Sequence, residues 1–136
     1  MNESDLHVMV ADYLRLQYPD VMFHSDFGSG VKLTMGQAAK QKRQNGGRRA
    51  WPDIFIAEPR ETGPFRHQHK SGLFIELKKD GTRLRKKNGG WTSGHIAEQA
   101  DVLERLEFRG YKAVFAVGFE QAKKVIDEYL GGGEQK

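Results

Sequence analysis

An acid and a base stand two residues apart inside an apolar segment, Leu73-Phe74-Ile75-Glu76-Leu77-Lys78. As a strand, this segment sends Leu73, Ile75 and Leu77 to one face and Phe74, Glu76 and Lys78 to the other, because strand side chains alternate. Burying either charge unpaired is costly. The two therefore form a salt bridge, reach solvent at the strand end, or serve as a metal-ligating carboxylate beside a lysine that handles a nucleophile. A second acid, Asp53, opens the apolar segment 53–57 directly after Pro52, whose ring fixes how the chain enters. If the two segments are neighbouring strands, Asp53 and Glu76 converge. Two carboxylates that close need a proton or a divalent cation between them. Hard oxygen ligands suit Mg²⁺ or Mn²⁺ rather than zinc.

The elements that must position these residues are legible in the apolar spacing. Leu6, Met9, Val10, Tyr13 and Leu14 predict a helix over 3–18, with Asn2 or Ser4 as cap and Pro19 as stop. Segments 21–25, 53–57, 73–78 and 112–118 predict strands. Residues 35–44 favour a helix, stopped by Asn45-Gly46-Gly47. Residues 26–34 predict a loop, 58–72 a loop or hairpin connection, and 80–94 a long basic loop with four glycines. Ile96, Ala100, Leu103 and Leu106 predict a helix over 95–109 closed by Gly110. Ala122, Ile126 and Leu130 predict a last helix over 119–130. The order predicts an α/β domain, a mixed β-sheet flanked by helices on both faces. Residues 1–130 are expected to form this single domain, and 131–136 a disordered tail.

Composition narrows the function classes. The 136 residues include no cysteine, which excludes disulfide frameworks, thiolate metal sites and cysteine nucleophiles. No apolar run predicts a membrane span, and the acidic start predicts no export signal. The net charge is +4, from 22 Lys and Arg against 18 Asp and Glu. More than half of the basic residues fall in two stretches, 28–52 and 78–87. This distribution suggests either a face for a polyanion or a pair of solvated loops. No glycine cluster makes a phosphate loop, and no Ser-His-Asp order suggests acyl chemistry.

Pro52-Asp53 followed by Glu76-Leu77-Lys78 is similar to the PD-(D/E)xK nuclease motif, and it falls on the right elements. Its flanks are more specific. Glu3 precedes an amphipathic helix, and Arg-Arg-Ala-Trp-Pro-Asp precedes an apolar strand. Ile-Glu-Leu-Lys-Lys-Asp-Gly is followed by His-Ile-Ala-Glu-Gln and then Arg-Gly-Tyr-Lys-Ala. Over residues 3–130 the chain resembles the virus-type replication-repair nuclease (VRR-NUC) domain, in particular its short standalone members from bacteriophages and prophages. A glycine is usual in that family before the aromatic-Pro-Asp; here Ala50 stands there.

The resemblance implies a restriction-endonuclease-like core. It also implies Mg²⁺- or Mn²⁺-dependent endonuclease activity on branched DNA such as four-way junctions, a homodimer, and the cytoplasm of a bacterial host. It implies Asp53, Glu76 and the Leu77 backbone carbonyl as metal ligands, Glu3 as a further ligand directly or through water, and Lys78 and Gln99 as catalytic partners. Helical spacing independently turns Gln99 inward with Ile96, Leu103 and Leu106, and sets Glu3 over Val10 and Leu14 toward the sheet. Lys40, Lys42, Arg43, Arg48 and Arg49 are expected to track the DNA backbone, with Arg83, Arg85, Lys86 and Lys87 on the loop beyond the site. The rival reading is a nucleic-acid-binding module without chemistry. His7, His24, His67, His69 and His95 make no metal-ligand spacing. His95, one turn before Gln99, is a candidate phosphate contact, and Trp51 and Trp91 are candidates for core packing or base stacking.

Overall fold

A computed structural model describes residues 2–25, 34–46 and 50–131. Helix α1 (Glu3–Gln17) begins where the Asn2 side chain accepts the Asp5 N–H at 2.8 Å. Strand β1 (Phe23–Ser25), helix α2 (Met35–Gln44) and strand β2 (Ile54–Ile56) follow. The connection 58–72 is a small hairpin, β3 (Arg60–Glu61) against β4 (His69–Lys70), leading into β5 (Leu73–Lys78). Helix α3 (Gly94–Phe108), strand β6 (Lys112–Val117) and helix α4 (Gly118–Leu130) complete the chain.

The main sheet has the order β1-β2-β5-β6. The first two pairings are antiparallel and β5–β6 is parallel, reached through α3 as a crossover. The expected mixed sheet with helices on both faces is what forms. Leu73, Ile75 and Leu77 join Ile54 and Ile56 under α1 and α4, which contribute Leu6, Val10, Leu14, Ala122 and Ile126. On the opposite face, Val102, Leu103 and Leu106 of α3 cover Ala113, with Phe74, Tyr111 and Phe115 packed around them. Helix α3 stops at Gly110, whose φ of +98° is a conformation most side chains avoid; Tyr111 N–H then bonds back to the Leu106 carbonyl.

Two elements differ in character from the sequence expectation. The basic loop after β5 is an organised hairpin. Thr92 N–H bonds the Leu84 carbonyl, Lys86 N–H bonds the Gly90 carbonyl, and the Arg85 guanidinium lies 3.7 Å from the centre of the Trp91 ring. Trp91 in turn packs on Phe115 of β6, so long-range contacts that no local pattern encodes hold the turn to the sheet. Helix α2 forms through a Thr34–Gln37 capping box yet buries none of its residues. The loop expected over 26–34, apart from Thr34, and the tail beyond Gly131 lie outside the described residues. No helix among the described residues is long and apolar enough to cross a membrane.

Candidate active site

The β2–β5 register pairs Ile54 with Ile75, and one further step sets Asp53 opposite Glu76. The paired register ends at Ile54, and Leu77 N–H donates to the Asp53 side chain instead, with Oδ2 at 2.8 Å. This bond holds the Asp53 carboxylate against β5. Glu76 projects to the α3 face, where Gln99 Nε2 donates to Glu76 Oε2 at 2.9 Å. Lys78 Nζ lies 4.0 Å from the same oxygen. Asp53, Glu76, Lys78 and Gln99 are all buried.

Burial, with Asp53 beside it, pushes the Glu76 carboxyl up to about 10, against a smaller opposing pull from Lys78. Without a counter-ion the pair therefore holds a proton. Glu76 Oε1 and Gln99 Oε1 are buried and lack a hydrogen-bond partner. Two unpartnered acceptor oxygens at a crowded carboxylate pair are an environment that a hard divalent cation satisfies, so the residues fit Mg²⁺ or Mn²⁺. Among the described residues, no group of three or more His, Asp or Glu forms a ready metal cage.

The remaining candidates separate. Glu3 is exposed on the first turn of α1, and its charge acts on Glu76. Arg83, Arg85, Lys86 and Lys87 are exposed on the hairpin that follows β5. Lys40, Lys42 and Arg43 are exposed on α2. Arg48 and Arg49 lie outside the described residues. His95 is exposed on the first turn of α3, and Trp91 is occupied by Arg85 and Phe115.

His7 is the residue that sequence reasoning passed over. It is buried on α1 with Nε2 3.7 Å from Asp53 Oδ2. The signal was present: His7 follows Glu3 by four residues and shares the helix stripe with Val10 and Leu14. Ala50 also departs from expectation. Its φ is +64°, so the family's usual glycine answers a real backbone requirement here.

No family model matches the chain, and no curated protein matches it. A solved structure of a VRR_NUC domain protein does. It superposes with a TM-score of 0.68 over 96 % of this chain and 89 % of that one, at 26 % identity. The chain is thus similar to a VRR-NUC domain over nearly its whole length. Its mixed sheet, flanked by helices and closed by a crossover helix, has the restriction-endonuclease-like fold of a VRR-NUC domain.

Proposed function

We propose that this VRR-NUC domain is a Mg²⁺- or Mn²⁺-dependent DNA endonuclease that acts on branched DNA, such as four-way junctions, as a homodimer. The observation that carries the reading is the buried Asp53–Glu76 pair, with Gln99 bonded to Glu76 and Lys78 beside it. A plain DNA-binding module gains nothing from two acids beside a phosphate unless a cation intervenes.

Asp53, Glu76 and the Leu77 backbone carbonyl would hold the cation, with Glu3 acting through water. When bound, the cation supplies a water of lowered pKa and neutralises charge on the phosphate oxygens. Asp53 is kept in place by Leu77 N–H, and Glu76 by Gln99. Lys78 holds the attacking water and offsets the charge of the phosphate. The water gives up a proton to solvent as its oxygen bonds to phosphorus and the bond to the leaving oxygen breaks, and the leaving oxygen takes a proton from solvent. Lys40, Lys42, Arg43, Arg48 and Arg49 track the DNA backbone, with the hairpin residues Arg83, Arg85, Lys86 and Lys87 nearer the cut. A homodimer supports the substrate class because a four-way junction needs two symmetric cuts and each chain has one site.

The test is cleavage of junction, flap and linear duplex with Mg²⁺, Mn²⁺ or Ca²⁺, alongside light scattering of the protein. Expected are binding without cutting in Ca²⁺, cutting in Mn²⁺, a dimer, and no cutting by Glu76→Ala. Cation-independent binding with no cleavage would favour the plain binder. A monomer preferring linear duplex would overturn the junction reading alone.

A further inference from the structure

The exposed indole beside the site is not used by the chemistry above. Trp51 lies two residues before Asp53, just after the left-handed turn at Ala50, and is 40 % exposed. Its ring rests on Phe74 at 6.2 Å between centres. Phe74 shares the α3 face of β5 with Glu76 and Lys78, so the indole packs on the face of the sheet that carries Glu76. Phe74 is fixed from below, stacked on Phe55 at 4.4 Å and edge-on to Tyr111 at 5.2 Å. The result is a braced aromatic ring with a surface open to solvent, two residues before Asp53 and on the face of the sheet that carries Glu76.

What lies beside a phosphodiester in a nucleic acid is a nucleobase. In intact duplex both faces of each base are covered by neighbours, and the indole has nothing to stack on. At a branch, bubble or frayed end a base face is free, and stacking on an aromatic side chain then contributes to binding. We propose that Trp51 is a stacking platform for an unpaired base flanking the scissile phosphate, and that it selects DNA with locally unpaired strands. The proposal rests on the nuclease reading above and specifies its substrate.

Trp51 and Trp91 are the two tryptophans of the chain, so a Trp91→Phe background leaves Trp51 as the sole indole reporter. Its fluorescence is titrated in Ca²⁺ with a bubble oligonucleotide and with blunt duplex, and gel retardation measures binding in parallel. Expected is quenching by the bubble and none by the duplex. Trp51→Leu should shrink the preference for bubble over duplex by roughly 5- to 100-fold, and Trp51→Phe should restore part of it. Circular dichroism checks that each variant is folded. Equal quenching by both DNAs, or binding without quenching, overturns the platform while leaving the nuclease reading intact. Failure to bind any DNA removes both.

Discussion

Alternate residues of one strand, β5, belong to two different environments. Leu73, Ile75 and Leu77 are fully buried against α1 and α4, in a layer that is apolar throughout the strand. Phe74, Glu76 and Lys78 face α3, where an acid, a base and a glutamine are buried together. The first face gains stability from every side chain it covers, about 1.5–3 kcal/mol for each large aliphatic. The second gives up stability, because desolvated carboxylates repel until a proton or cation joins them. A strand buried on both sides can thus anchor the fold through one face and hold reactive groups rigidly on the other.

Substituting neighbours on β5 should separate the two faces. Glu76→Gln is expected to lower cleavage by on the order of 10³-fold or more in single-turnover assays. It should also raise the melting temperature in a chelator. The sign follows from the raised carboxyl. Its stabilising contribution is complete below the unfolded value near 4 and is lost as pH rises toward about 10. The glutamine variant should therefore lack that decline, and a melting series across this pH range checks it. Ile75→Ala, one residue away, should cost about 2–5 kcal/mol in urea unfolding while its remaining folded fraction still cleaves.

A smaller effect is expected where α1 meets α4. Tyr13 and Tyr18 hydroxyls both donate to Asp127 Oδ1, at 2.6 and 2.7 Å. Burial alone would raise the Asp127 carboxyl, but these two bonds and Lys123 hold it below the usual carboxylate range. Its contribution is therefore present above pH about 4 and lost as pH falls through the lowered value. Asp127→Asn should cost about 1 kcal/mol at neutral pH and flatten the acid limb of the stability curve. The smallest effect is on the chemical face. Ala50→Gly should relieve the left-handed strain for a net gain of about 0.5–1 kcal/mol, read as a higher urea midpoint at unchanged slope.

Most of the architecture was legible because it rests on periodicity. The alternation in 73–78 encodes the two faces of β5, and the helical spacing of Ile96, Leu103 and Leu106 turns Gln99 inward. His7 was less legible because a histidine on an apolar stripe ordinarily reports packing; only the β2–β5 register brings Asp53 to it. The order in the basic hairpin depends on Trp91 meeting Phe115, a contact made only when β6 is in place. The exposure of Glu3 was not legible, because helical phase gives direction but not depth.

The long crossover from β5 to β6 also fixes an order of events. Pairing β2 with β5 closes the short connection 57–72, whereas pairing β5 with β6 closes 79–111. Loop closure becomes more costly with length, so the shorter connection is favoured to form earlier. Asp53 and Glu76 then meet while water still screens them, and repulsion is weak. Docking of α3 brings Gln99 and removes that water. From that moment the pair must be matched by positive charge. The step that completes the fold is thus also the step that takes up a proton or a cation, and a newly made chain has no assembled site until its C-terminal strand is in place.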